Sequence, residues 1–482
     1  MNYFKASIFL LFVLMIAWNS PQQLIIVNNA QQHQLPAQQC SDAQKNGLEY
    51  TEGMNPPDLA PNPLPFPESL SVKPPKSLPI IQKEDGSFVY PTHFMPEDLE
   101  FQPFEGHPKD IAKVGQAIRD ADGGKGIRIS VFGASHTSAD FWTGHLRRVL
   151  QARYGDGGHG YIMPVSLFKD NRANDLNMCN DGDWIRDFVG RDEHEDDLFG
   201  LGLTVSSSNP NDFAWIETTH SNPIGRSVSY FDLFTLGQFG GGSLLAQVDM
   251  ENPILISTQA ENNQLQSTRI QVNQGSHRLT ISPAGDGQVR LFGISMENDE
   301  NAAIVDSIGI RGREANTWLE WNEEIFQQAL HHLNPNIIVL AYGTNEANDL
   351  DYTMENYQDD LRQVLEKMRR AAPNTACILV GPSDRGSKKS KNYVVWERTK
   401  FVAQVQRDIA PEFNCVFWDW QQMTGGEGSM IAWLFTDPPL ASKDLIHFSQ
   451  YGYNASADNF IEALDNAALH FHHRTYQPFF KR

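Results

Sequence analysis

The sequence predicts an α/β protein: a three-layer, doubly wound parallel sheet interrupted by an inserted β-sandwich. Helical and strand-like segments alternate over 110–154 and again over 303–470, the pattern of strand–helix–strand crossovers. The strand segments of the second run, such as Ile337-Ile338-Val339-Leu340 and Ala376-Cys377-Ile378-Leu379-Val380, are continuously apolar, as in a sheet covered on both faces. Between the two runs, from 200 to 296, short β-prone segments follow one another with no helix between them. Because the α/β pattern resumes afterwards, the β-rich span reads as an insertion.

Taken in order, residues 1–21 hold one early cation, Lys5, and an apolar run over 8–18. That run is shorter than the roughly 20 residues a spanning helix needs and suits a signal-peptide core or N-terminal anchor. Export is expected, while the cleavage site is poorly marked. Residues 22–105 are rich in Pro, Gln and Asn, with nine prolines between 56 and 79. They read as an extended arm, free or wrapped over the globule.

The first part of the host domain is assigned to 106–198. A helix over 110–120 places Ile111, Val114 and Ile118 on one face, a strand covers 126–130, and a helix follows over 141–154. From Gly155 to about Asp197 a flexible turn and loop are expected. The acidic run Asp192 to Asp197 lacks the glycine and spacing of a calcium loop and reads as solvated surface. The insertion is assigned to 199–298, with strands near 213–216, 227–231, 244–248, 254–257, 269–272, 278–281 and 288–294. The host resumes over 299–482, with strands at 303–312, 335–342, 376–380 and 414–418. Helices are expected at 318–333, 355–372, 396–409 and 453–470.

Composition narrows the class. Hydrophobic residues at 40% and charged residues at 20% describe an ordinary globular protein. The net charge of −21 argues against nucleic acid and anionic membrane surfaces as partners. Four cysteines are too few for a disulfide-built scaffold. Cys377 and Cys415 read as small core residues of buried strands. A Cys40–Cys179 bridge is permitted by export and established by nothing. Trp418, Trp420 and Trp433 read as core, and the histidines at 331, 332, 470, 472 and 473 as helix-terminal surface groups rather than metal ligands.

Chemistry concentrates at strand ends. Gly133-Ala134-Ser135-His136 lies between a strand and a helix, so Ser135 sits at the carboxyl edge of the sheet, where open α/β sheets place ligands. Alone, that serine is more readily a helix cap. Asp444-Leu445-Ile446-His447 can bring a carboxylate to the inner imidazole nitrogen, leaving the outer one to take a serine proton. A chain of this length holds about one Asp-x-x-His by chance. Neither a Gly-x-Ser-x-Gly elbow nor a Walker loop occurs, and no Gly-x-Gly-x-x-Gly stands between a strand and a helix as a dinucleotide fingerprint requires.

Together, Gly133-Ala134-Ser135-His136, Gly312, Gly343-Thr344-Asn345-Glu346 and Asp444-Leu445-Ile446-His447 resemble, in order, the four blocks of the SGNH (GDSL-like) hydrolase superfamily. The segments 306–312, 342–347, 417–420 and 425–430 resemble its peptidoglycan O-acetylesterase branch, in which a carbohydrate-binding-like β-sandwich interrupts the hydrolase. The resemblance implies a flavodoxin-like sheet, Ser135 as nucleophile, His447 as general base and Asp444 as its orienter. It implies an oxyanion hole made of the Ser135 and Gly312 backbone N–H groups and the Asn345 amide, with no cofactor or metal. Glycine at 312 would let the backbone approach the substrate. Ala134 stands where the family carries aspartate. The implied substrate is an O-acetylated polysaccharide of the periplasm or cell envelope, with membrane association only through the N-terminal segment. Two alternatives share the sequence: an O-acetyltransferase of the same fold, and a catalytically silent glycan-binding protein.

Overall fold

The computed structural model describes residues 72–91, 95, 99–167, 173–219, 224–298 and 301–469, together with the backbone of Gln22–Ile26. The expected leader over 1–21, Cys40 and the histidines 470, 472 and 473 lie outside the described residues.

The host domain is an α/β/α sandwich. Its elements are α1 (Pro108–Asp122), β1 (Ile127–Gly133), α2 (Phe141–Tyr154), β2 (Ala303–Gly309), α3 (Glu323–Leu333) and β3 (Ile337–Ala341). They continue with α4 (Met354–Ala371), β4 (Ala376–Val380), α5 (Arg398–Ile409), β5 (Val416–Trp418) and α6 (Gln450–Leu469). The strands pair in parallel in the order β2-β1-β3-β4-β5. The order reverses between β1 and β3, and the crevice at that switch point is where such sheets bind ligands.

Alternation along each strand sorts side chains between two cores. Ile129, Val131, Ile337, Val339 and Ile378 face the layer formed by α1, α2 and α6, whereas Phe132, Ile338, Leu340 and Leu379 face α3, α4 and α5. The expected helix over 318–333 is split into a 3-10 turn, Ala315–Glu320, and α3. The break falls at Trp321, whose backbone is extended, and Asn322 caps α3 by accepting from the Ile325 N–H.

The inserted β-rich region consists of two antiparallel-dominated sheets. One runs Gln264–Gly275, Val228–Gly237, Val289–Glu297, Leu203–Ser207, Ile185–Phe188, with Gln22–Ile26 added in parallel at its edge and Gly160–Ile162 on Val289–Glu297. The other runs Ile254–Ser257, Ser243–Val248, Arg278–Pro283, Phe213–Thr218, Leu176–Asp181. Four of these strands precede residue 199, three of them between 155 and 197. The span to Asp197, expected to be loop, therefore supplies strands to both sheets. Asn177, Asn180, Asp181 and Asp187 are poor strand formers in isolation, and pairing to buried partners overrides that preference.

Sandwich and host share one core. Val205, Ile216, Phe234 and Leu291 belong to the same apolar cluster as Ile338, Leu340, Val364 and Leu379. A buried ionic knot adds to the join. Arg128 on β1 donates to both oxygens of Asp306 on β2 at 2.8 Å and to Glu297 of the sandwich at 2.8 Å, and Asp306 also accepts from Ser130 Oγ and the Tyr161 N–H. Removing one member would strand a desolvated charge, typically a loss of about 3–5 kcal/mol.

Three expectations are corrected or extended. Cys377 and Cys415, on neighbouring strand segments, are buried core residues as expected and also form a disulfide with a Cα–Cα distance of 4.6 Å. Cys179 is disulfide-bonded as well. The acidic run is only partly solvated: Asp196 grips Arg290 through both oxygens, and His194 lies between Asp187 (3.0 Å) and Glu320 (3.4 Å). His332 is half-buried against Asp232 and Phe234 rather than free at the surface. The described part of the Pro-rich arm wraps the globule: Ile81–Gln82 pairs with Asn392–Val395, Glu105 pairs with Phe417, and Phe104 is buried. Trp418, Trp420 and Trp433 are core, as expected.

Candidate active site

Ser135 opens a one-turn helix, Ser135–Ser138, directly after β1. The turn is tight because Gly133 has no side chain: a Cβ there would lie 2.2 Å from Thr137 Oγ1 and 2.8 Å from the Ala341 carbonyl. Ala134, at the position of the family's aspartate, is buried.

Ser135 Oγ lies 2.8 Å from His447 Nε2, and His447 Nδ1 lies 2.6 Å from Asp444 Oδ2. The ionised carboxylate can only accept, so the imidazole proton sits on Nδ1 and Nε2 accepts from the serine hydroxyl. Asp444 Oδ1 accepts from the Ile446 and His447 backbone N–H groups, each at 3.0 Å. Leu445 holds a left-handed φ of 58° between them, and its side chain is buried. Burial pushes the Asp444 carboxyl up, and the His447 imidazole with these amides outweighs it, leaving the group at about 2. A tight turn thus presents a permanently charged orienter behind the imidazole.

The floor beneath this relay is buried and lined by aromatic rings. His136 is buried, shares a 2.8 Å hydrogen bond with the Tyr453 hydroxyl, and its ring lies 5.0 Å from that of His447. Burial first, and His447 second, hold its pKa down at about 3, so it stays neutral and adds no charge to compete with His447.

Gly312 and Asn345 stand on loops after β2 and β3. The turn 310–313 is closed by the Arg313 N–H donating to the Ile310 carbonyl at 3.2 Å, and Gly312 occupies its third position with φ 75°. A Cβ at 312 would meet no protein atom within 4 Å. The structural demand for glycine here is the left-handed backbone, not crowding by the protein. The Ile310 N–H donates to the Gly133 carbonyl at 3.0 Å, which ties this turn to the strand end that carries Ser135. Asn345 Nδ2 donates one hydrogen to the Arg313 carbonyl at 2.8 Å, leaving its second N–H uncommitted to that bond.

Glu346 joins the two loops, a role its sequence block does not reveal. It is fully buried and accepts from the Ala315 N–H at 2.9 Å and the Gly343 N–H at 2.8 Å, one on each loop. All five residues singled out from sequence are therefore brought to one end of the sheet. The arrangement can deprotonate a serine and surround an adjacent oxygen with N–H donors, the requirements of acyl transfer.

Residues 284–455 match the GDSL-like lipase/acylhydrolase family model. Over that span the chain carries a GDSL-like acylhydrolase domain, a domain type of serine ester hydrolases. The match covers Gly312, Asn345, Asp444 and His447; Ser135 lies N-terminal to it, beyond the sandwich. Among solved structures, a peptidoglycan O-acetylesterase shares 23% identity and a TM-score of 0.64 over 77% of this chain and 99% of that one, a likeness of fold. A family two carbohydrate esterase from Clostridium thermocellum (11% identity, 59% and 98% covered, TM-score 0.25) and an acetyl xylan esterase (17%, 33% and 80%, TM-score 0.26) are too distant in geometry to bear on either fold or function. No curated protein sequence matches the chain.

Proposed function

We propose that this SGNH hydrolase is an exported O-acetylesterase acting on a cell-wall or extracellular polysaccharide, peptidoglycan first among them. The observation that carries the reading is the unbroken relay from Ser135 Oγ through His447 to Asp444, with Gly312 and Asn345 tied beside it. Ser135 Oγ attacks the acetyl carbonyl while His447 Nε2 takes its proton. The developing oxyanion is held by the Ser135 and Gly312 N–H groups and the free Asn345 amide hydrogen. His447 then returns the proton to the departing sugar oxygen, leaving acetyl-Ser135, and water, activated by the same imidazole, releases acetate. The choice of polysaccharide is supported by the fold shared with a peptidoglycan O-acetylesterase. Export is supported by the apolar segment near the N-terminus.

The test is acetate release from O-acetylated peptidoglycan and from acetylated xylan by protein lacking residues 1–21, with Ser135→Ala as the control. Release is expected from the wild type and should vanish in the variant. Acetyl transfer to a sugar acceptor without free acetate would reassign the chain as a transferase. Glycan binding with neither activity would leave a silent binding protein.

A further inference from the structure

One cation at the mouth of the site has no assigned task. Arg385 follows the end of β4, on the sheet edge that carries Ser135 and Asn345. It is half-buried, its guanidinium lies 4.9 Å from the centre of the Trp396 ring, and its side chain makes no hydrogen bond or ion pair with the described residues. Both of its neighbours are bound into the site. The Gly386 N–H donates to the Leu445 carbonyl at 3.0 Å, next to Asp444, and Trp396 Nε1 donates to the Ala347 carbonyl at 2.6 Å, two residues beyond Asn345. Arg385 thus belongs to a wall joining the base-bearing turn to the loop of the expected oxyanion donor.

The carboxylates close to Arg385 are engaged elsewhere. Asp384 accepts from Gln421 Nε2 and the Met430 N–H, and Asp444 is committed to His447. Burial works against the guanidinium charge, and Asp444 offsets this only through its field and without a hydrogen bond, so the guanidinium donors are left for a ligand anion. Beyond Arg385 the chain forms a hairpin, Gly386–Lys389 with Asn392–Val395, whose tip exposes Lys388, Lys389 and Lys391. Three exposed lysines together on one hairpin run against the character of a chain with net charge −21. They make a local positive rim where the rest of the surface would repel an anionic polymer.

We propose that Arg385, with the lysine-tipped hairpin it opens, recognises a carboxylate carried by the glycan close to the acetylated position. The substrate is then an acidic polysaccharide, not a neutral one. Resting on the esterase reading above, this deepens it: the carboxylate is a lactyl or stem-peptide group in peptidoglycan, or a uronate in another polymer. Arg385 binds and positions substrate and takes no part in proton transfer.

The experiment compares kcat and KM of wild type, Arg385→Gln and Arg385→Lys on four acetylated oligosaccharides. These are a muropeptide with free carboxylates, the same muropeptide after carboxyl amidation, a uronate oligomer, and a neutral xylo-oligosaccharide. For the wild type, amidation should raise KM about tenfold, and added salt should narrow that gap. Arg385→Gln should abolish the difference, and Arg385→Lys should restore part of it, since a point charge lacks the planar fork. A preference for the muropeptide over the uronate oligomer, or the reverse, identifies which carboxylate is read. Equal wild-type activity on amidated and free substrates overturns the proposal, even if Arg385→Gln fails to fold. So does an Arg385→Gln loss of the same factor on all four. No release from any substrate sinks the esterase reading, and this one with it.

Discussion

Glu346 holds the expected oxyanion donors together by two hydrogen bonds, so Glu346→Gln tests how much turnover depends on that tie. The substitution keeps shape but exchanges one acceptor oxygen for an NH2 group. One of the two backbone N–H groups, Ala315 at 2.9 Å or Gly343 at 2.8 Å, must then face a donor. A charge-assisted hydrogen bond is lost and a buried N–H left unpaired, each about 1–3 kcal/mol by itself. Burial already pushes the Glu346 carboxyl up, so relief from that burden offsets part of the loss. The expected net destabilisation is about 1–3 kcal/mol, read from urea midpoints. Because Ala315 lies three residues beyond Gly312 and Gly343 two before Asn345, the loops separate at the donors. Removing one donor outright costs about 10²–10³ in turnover, so partial displacement should cost about 10- to 100-fold. The assay is steady-state and pre-steady-state hydrolysis of p-nitrophenyl acetate. Acylation and deacylation should slow together, since both pass through an oxyanion, while KM moves little. A variant that loses stability yet keeps kcat within about twofold of wild type would refute this reasoning, because the tie would then be structural only.

Gly312→Ala should fold, since a Cβ there meets no protein atom within 4 Å, at a cost of about 1 kcal/mol for its left-handed backbone. Its turnover should drop about 10²-fold as the turn relaxes and its N–H swings away; undiminished kcat would remove Gly312 from the donor set. Burial holds Asp384 up at about 6 against an ordinary 3.8, so the folded state binds the extra proton between those values. Stability should therefore fall as pH rises from about 4 to 6, by about 3 kcal/mol in all. In Asp384→Asn that slope should flatten, and parallel urea-midpoint profiles at pH 4.5 and 7.5 would contradict the assignment.

The host sheet was legible because parallel strands buried on both faces are written as unbroken apolar runs: Ala376–Val380 is found at its expected bounds. Ser135, Asp444 and His447 stood out only together, through the ordered blocks that resemble a family, since each local pattern alone is common; the fold joins them in one hydrogen-bonded relay. What escaped depends on partners far along the chain. The strands Leu176–Asp181 and Ile185–Phe188 are polar, and only pairing to Phe213–Thr218 and Leu203–Ser207 makes them strands. Gln264–Gly275 extends well beyond the expected 269–272 because its glutamines face outward along a long antiparallel pairing with Val228–Gly237. Cys377 and Cys415 each look like core residues until β4 and β5 are known to be neighbours. Glu346 and Arg385 likewise carry no signal of their own, because the groups that define their tasks arrive from other loops.

The shared apolar cluster and the Arg128 knot make the sandwich a keystone of the hydrolase, not a pendant module. Cutting it out would expose the side of the apolar core that it shares with the α3–α5 layer and leave Arg128 and Asp306 without Glu297 and the Tyr161 amide. Heating should melt the two parts in a single transition, and the sandwich cannot be traded for another domain as a cassette. Any ligand bound on the sandwich would be held in fixed register with Ser135, so a polymer spanning both would be measured out by the length of a rigid body.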